Sequence, residues 1–322
     1  YMMKARGSSG SGLLDWHLHC NAFLYQADHL SLPGEASSPS LMVAGMLERF
    51  SNLAGELGKF EDQQEWERFS ARMYDALVNR LWNPEMGVFC NHIDFQGVMH
   101  SAHYYTDLIF PILYTSLPDP YGLSSLEHLT RSLVYEAPED RRLLMRVGEL
   151  KPSIFGNDNV MPAQMAEAAR AYFNAGDPET GCRLLESVAY AATVHTESPG
   201  CFPEHMADDG KGEFNYIFGN PTGSYLVTIV EGLFGVTLEN EGRTLLWKPS
   251  FPQEWKQARL TLPYARLSLE PLEKRTDGDG HTVEAASYRC EARDRKVLDF
   301  RLVLGSRSVV RLLHHGNLIP FE

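Results

Sequence analysis

The stretch Val160-Met161-Pro162-Ala163-Gln164-Met165-Ala166-Glu167-Ala168-Ala169-Arg170-Ala171-Tyr172-Phe173-Asn174-Ala175-Gly176-Asp177-Pro178 decides the reading of this chain. Apolar residues recur at three and four spacing as far as Asn174, the period of a helix that buries one face. Gly176-Asp177-Pro178 breaks the pattern, which resumes from Pro178 to Val194, so two helices fold back on each other across a short turn. The same period runs through Leu41 to Leu57, Glu65 to Trp82, Tyr104 to Leu117, Leu123 to Val134 and Ser224 to Phe234. Gly58, Asn83-Pro84, Pro118-Asp119-Pro120 and Pro199-Gly200 stand where these helices must end. With a helix-like segment from Leu13 to Ala27 the count is about eight helices. Short turns alternate with the longer loops Asn83 to His103, Gly148 to Asn159 and Thr196 to Pro221. Helix hairpins with short turns on one side and long loops on the other build an α/α toroid whose long-loop face carries the site. No recurring period of 20 to 50 residues points to a solenoid.

After Gly235 the pattern changes to alternation and β-branched residues, in Leu260-Thr261-Leu262, Arg266 to Glu270, His281 to Glu291, Val297 to Leu304 and Ser308 to His314. Thr276-Asp277-Gly278-Asp279-Gly280 has the chemistry of a hairpin turn. The expected fold is therefore mainly α: a toroid over residues 1–238, then a small antiparallel β domain over 239–322. The strands of that β domain hold no concentrated cluster of acids, histidines or cysteines, so it reads as structural.

The chain has 322 residues, 29 Lys plus Arg and 42 Asp plus Glu, a net charge of −13. A nucleic-acid partner needs a positive footprint, and this chain has none. The five cysteines, Cys20, Cys90, Cys182, Cys201 and Cys290, are scattered and form no C-x-x-C pair. That disfavours a disulfide framework and a thiolate zinc site, and favours a reducing compartment such as the cytoplasm. Apolar runs such as Leu226 to Leu233 are far shorter than the roughly 20 residues that span a bilayer, so no membrane partner is expected.

Two regions look like sites. Gly7 to Gly12 is a run of glycine and serine, which alone reads as a linker, but it delivers Asp15 and Trp16 to the start of the following segment. Asp15 is a candidate acid, and equally a candidate N-cap. The loop from Cys201 to Pro221 holds Glu204, Asp208, Asp209 and Glu213 among Phe202, Phe214, Tyr216 and Phe218. Carboxylates interleaved with aromatic faces suit a sugar ring, although an acidic loop is also ordinary surface.

These regions and the run Pro152 to Ala163 come in an order that resembles the six-hairpin glycosidases, most of all the trehalase, glucosidase and mannosylglycerate-hydrolase type, with rhamnosidases as cousins. In that family a Ser/Gly-rich stretch leads to an aspartate beside a tryptophan, the general acid, which Asp15-Trp16 matches. A later glutamate, the base, precedes a glycine-rich approach to the last barrel helix; Glu204 before Gly219-Asn220-Pro221-Thr222-Gly223-Ser224 matches it. Phe251-Pro252-Gln253-Glu254-Trp255 with Leu260 to Leu269 is similar to the β domain that caps the barrel. Phe155-Gly156-Asn157-Asp158-Asn159 stands where trehalases have a Trp-Arg-Gly-Pro type stretch, so a changed sugar subsite is implied.

The resemblance implies hydrolysis of a glycosidic bond with inversion. Asp15 would protonate the leaving oxygen while Glu204 activates water on the opposite face, the two carboxyl groups roughly 6.5–9.5 Å apart. Glu213, Asp208 and Asp209 rival Glu204 on the same loop. Trp16, His103, Tyr104, Phe155, Asn157, Asp158, Asn215 and Tyr216 are the candidate substrate contacts, with core packing the other reading of Tyr104. His17, His19, His103, His195 and His205 admit a sugar epimerase on the same toroid, and a carbohydrate-binding fragment without activity is a further reading. His17-x-His19 on a helix would point to different faces, so no metal is expected, and the mechanism requires no cofactor. A six-hairpin ring needs twelve helices, so the beginning at Tyr1 is expected to be a truncation that exposes apolar faces, weakens activity and would hide any secretion signal.

Overall fold

The computed structural model describes residues 10–16, 34–149, 159–240, 242–271, 275–276, 282–283, 286–293, 299–303, 312–314 and 317–319. The chain divides into two compact units, Tyr1–Tyr225 and Leu226–Glu322.

The first unit contains helices α1 (Ser37–Glu56), α2 (Phe60–Ala76), α3 (Tyr105–Leu113), α4 (Asp119–Ser132), α5 (Pro162–Ala175) and α6 (Pro178–Thr193), and most of α7 (Gly219–Val227). The turn quoted first behaves as its residues dictate. Gly176 ends α5 in the left-handed region at φ 84°, and the Asp177 side chain accepts from the Thr180 N–H at 3.1 Å to cap α6, with Pro178 in its first turn. α1 with α2, α3 with α4, and α5 with α6 form three antiparallel hairpins, and α1 packs on α3 and α3 on α5. α3 and α5 are buried along almost their whole length, whereas α2 shows most of its surface to solvent. Gly45 lets α1 cross the end of α3 closely, since a Cβ there would lie 1.6 Å from the Tyr114 carbonyl oxygen.

The described residues are mixed in composition rather than mainly α; they show three helix hairpins packed side by side, and a closed toroid is not shown among them. The difference lies in the long loops, which satisfy their backbone groups by pairing in short ladders. Trp82–Asn83 pairs with Val88–Phe89, and Val134–Glu136 pairs with Leu143–Met145. A four-stranded antiparallel sheet orders Asp15–Trp16, Gly34–Ala36, His92–Ile93 and Met99–His100. The helix expected from Leu13 to Ala27 is therefore corrected at its described end, where Asp15 and Trp16 form an edge strand opposite Glu35 and Gly34. Helix-like spacing yields there to tertiary pairing, because the Ala36 N–H takes the Leu14 carbonyl at 3.2 Å. Gly34, at φ 128°, lets the middle strand pass; a Cβ on it would meet the Ile93 oxygen at 2.0 Å. Residues 17–33 lie outside the described residues, and His17 and His19 with them.

The second unit is built on strands, with one departure from the expected antiparallel order among the described residues. Val236–Glu239 and Thr244–Trp247 form a hairpin that the alternation did not reveal, and Thr244–Trp247 then pairs in parallel with Asp299–Leu302. Ala258–Thr261, Ala265–Pro271 and Ala286–Ala292 make an antiparallel sheet. Arg275–Thr276 pairs with Thr282–Val283, which brackets the predicted turn. Trp247 is fully buried, with the Tyr288 and Phe300 rings 5.6 and 6.2 Å away. No helix among the described residues is long and apolar enough to cross a membrane.

Candidate active site

In the first unit short backbone ladders and bridges, joined by the side chain of Asp107, link the loops that precede α1, α3, α5 and α7. Asp15 lies across from Glu35, two residues before the start of α1. The first turn of α1 is tied to α3 through Asp107. This carboxylate is fully buried and accepts from the Ser37 hydroxyl at 2.8 Å, the Ser38 hydroxyl, the Asn91 amide at 2.7 Å and the Tyr104 N–H at 3.0 Å. Burial pushes its pKa up, while the neighbouring His103 ring and the donors from Ser38, Asn91 and Tyr104 oppose that rise. Tyr104 then bridges to Gly148, Arg146 bridges to Val160, and Val160 bridges to Met206. Met206 sits two residues after Glu204 on the hairpin His205–Met206 with Gly212–Phe214.

Glu204 is the buried acid of its loop, 3% exposed. Its carboxylate Oε2 accepts from the Asn215 side-chain amide at 2.8 Å, and its N–H is shared between the Phe214 and Asn215 carbonyls at 3.0 and 3.2 Å. Asn215 is exposed and left-handed at φ 47°, a region asparagine tolerates, and this turn brings its amide back onto the carboxylate. The rival acids are placed differently. Asp208 accepts from the Tyr135 hydroxyl at 3.2 Å and pairs with Arg146 at 3.1 Å. Asp209 pairs with His195 at 3.4 Å and caps the turn at the Lys211 N–H. Glu213 is exposed. His205 packs edge-on to Phe214, its ring centroid 5.5 Å away, and burial lowers its pKa against the pull of Glu204 and Glu213.

The predicted substrate contacts separate into three groups. Asn215, exposed, and Tyr216, half-buried, lie on the Glu204 loop. His103 and Tyr104 are fully enclosed. His103 spends Nε2 on the Phe89 carbonyl at 3.0 Å and faces Glu149 with Nδ1 at 3.1 Å, while Tyr104 joins the Asp107 network through its N–H. Phe155, Asn157 and Asp158 lie outside the described residues, and of Asp15 and Trp16 only the backbone is described.

Several residues that organise the site were not singled out in the sequence: Asp107, Asn91, Ser37, Ser38, His128 and Glu149. Only Asp107 left a linear signal, an acid three residues after the residue that caps a helix. The others meet across 16 to 70 positions of chain.

No family model and no curated protein matches this sequence. Solved structures do. A GH78 family rhamnosidase of Bacillus sp. GL1 superposes with a TM-score of 0.57 at 13% identity, over 95% of this chain and 29% of that one. A structure described as a sialidase gives 0.58 at 12% identity, over 80% of this chain and 25% of that one. A wild-type glycosidase gives 0.50 at 15% identity, over 63% and 53%. The fold is one that solved glycosidases share. The chain spans less than a third of the rhamnosidase it superposes on, and at these identities the likeness concerns the fold.

Proposed function

We propose that this chain is part of a glycoside hydrolase whose helix hairpins belong to a six-hairpin toroid, and that it cleaves a glycosidic bond with inversion. Asp15 is the general acid and Glu204 the general base in this reading. The observation that carries it is the run of paired loops from Asp15 through Asp107, Gly148 and Val160 to Glu204, in a fold shared with glycosidases. It fastens the two acids to one framework and presents Glu204 beside an exposed amide. Glu204 would take the proton of the attacking water while the Asn215 amide steadies the other charge on the carboxylate. Asp15 would give its proton to the leaving oxygen, and Asn215 and Tyr216 would meet sugar hydroxyls and a ring face. Solved neighbours named as a rhamnosidase and a sialidase support a carbohydrate as the substrate.

The test is hydrolysis of a panel of aryl glycosides by the chain and by Asp15→Asn and Glu204→Gln, with the anomer first released followed by proton NMR. A loss of at least 100-fold in kcat for each variant is expected, with the product inverted. Unchanged turnover in both variants, or retention of configuration, overturns the assignment.

A further inference from the structure

Beyond the proposed acid pair, His103, His128 and Glu149 converge from three separate elements: the loop before α3, the middle of α4, and the loop after the strand Leu143–Met145. Their ligand atoms all lie within 4.8 Å of one another. Glu149 Oε2 is 3.1 Å from His103 Nδ1, and Oε1 is 3.2 Å from His128 Nε2. The two contacts use different oxygens of the carboxylate, each near the separation of about 3.3–3.4 Å between neighbouring donors on a tetrahedral zinc with bonds of about 2.0–2.1 Å, so small side-chain shifts would bring the donors onto one ion.

The hydrogen bonds around the cluster prepare it. His103 Nε2 faces the Phe89 carbonyl at 3.0 Å. A carbonyl only accepts, so Nε2 carries the proton, and in the neutral ring the Nδ1 lone pair then points at Glu149. That contact needs a positive partner between ring and carboxylate, either a second ring proton or a metal ion. Donation of the second ring N–H to a backbone carbonyl is also how metal-bound histidines are oriented. Glu149 is held in place by a reciprocal pair: its carboxylate accepts the His103 N–H at 2.7 Å, and its own N–H binds the His103 carbonyl at 2.9 Å. His103 is enclosed, whereas His128 and Glu149 keep 14% and 23% of their side-chain surface, so an ion would reach the cluster from their side.

We propose that His103 Nδ1, His128 Nε2 and the Glu149 carboxylate form a binding site for a divalent transition-metal ion of the zinc type, with water at the remaining position. Two imidazoles and one carboxylate are a donor set for such ions rather than for calcium or magnesium, which take oxygen. Bound there, the ion would pin the loop before α3 to α4, and so brace the Tyr104 and Gly148 segment. The linear sequence does not reveal such a site, because the ligands stand 25 and 21 positions apart rather than at close spacing.

The experiment titrates the chelator-treated chain with Co(II) and, separately, with Zn(II) by calorimetry. One ion per chain is expected, with cobalt d–d bands of nitrogen and oxygen ligation and no thiolate charge-transfer band. His128→Gln and Glu149→Gln should each weaken binding 10-fold or more, while His100→Ala, at the exposed histidine next to Asp94, should leave it unchanged. The wild-type titration needs no variant to fold. Absence of stoichiometric binding overturns the proposal and identifies the cluster as a His103 imidazolium paired with Glu149. Binding that survives in both His128→Gln and Glu149→Gln, or that is lost in His100→Ala, overturns it as well.

Discussion

Replacing Asp107 by alanine is expected to be among the most damaging single changes in the first unit. The carboxylate is fully buried and accepts from Ser37, Ser38, Asn91 and Tyr104. After Asp107→Ala the two serine hydroxyls can rotate toward other acceptors in the first turn of α1, but the Asn91 amide and the Tyr104 N–H are fixed. Each stranded buried donor costs about 1–3 kcal/mol, which gives about 2–6 kcal/mol before any cavity term. Removal of one partner from a buried charged network costs about 3–5 kcal/mol, in the same range. At about 2–4 °C per kcal/mol for a unit of this size, thermal unfolding should fall by roughly 6–20 °C. Guanidinium unfolding followed by circular dichroism measures the same loss. A double-mutant cycle with Asn91→Ala locates it: if the two groups interact, the double variant loses about 1–3 kcal/mol less than the sum of the single ones. An Asp107→Ala chain within about 1 kcal/mol of wild type, or strict additivity with Asn91→Ala, would refute the network as the link between α1 and α3.

Four further outcomes follow from particular contacts. His92 is held at a pKa of about 4 by burial and by the charge of His100, against the pull of Asp94. The unfolded chain takes up this proton near 6.5 and the folded one does not, so stability falls as pH drops from 6.5 to 4, by up to about 3 kcal/mol; unfolding free energies of His92→Gln should show a shallower decline over that window. Gly45→Ala would set a Cβ 1.6 Å from the Tyr114 oxygen, and the overpacking cost of about 1–3 kcal/mol should exceed the gain of about 1 kcal/mol in helix propensity, with stabilisation in a urea melt the contrary result. Gly223→Ala in α7 meets no described atom within 4 Å and should be neutral or stabilising by up to about 1 kcal/mol, which the same melt reads. Asn215→Gly keeps the left-handed turn and removes the amide from Glu204, so hydrolysis should fall about 10-fold with little change in melting temperature; equal kcat in variant and wild type would show that the amide does not serve the carboxylate.

The division of labour between sequence and tertiary structure is visible in single residues. The helices of the three hairpins were legible because their signals are local: apolar period, and breakers such as Gly176-Asp177-Pro178 whose conformational preferences act within a turn of chain. The position of Glu204 on a loop ahead of α7 was legible for the same reason, but its burial and its Asn215 partner were not, since they depend on a left-handed residue eleven positions on. Asp15 shows local signals being overridden: the segment has helical spacing, yet its backbone pairs with Gly34–Ala36. His103 and Tyr104 have the chemistry of sugar contacts, yet folding encloses them, because their loop is pulled inward by Glu149 and Asp107. The amino-acid order by itself determined where the chain turns and which helix faces are apolar. Only the tertiary structure decided which polar side chains meet, because a buried carboxylate or imidazole is positioned by donors and acceptors from distant segments that carry no pattern in the linear chain.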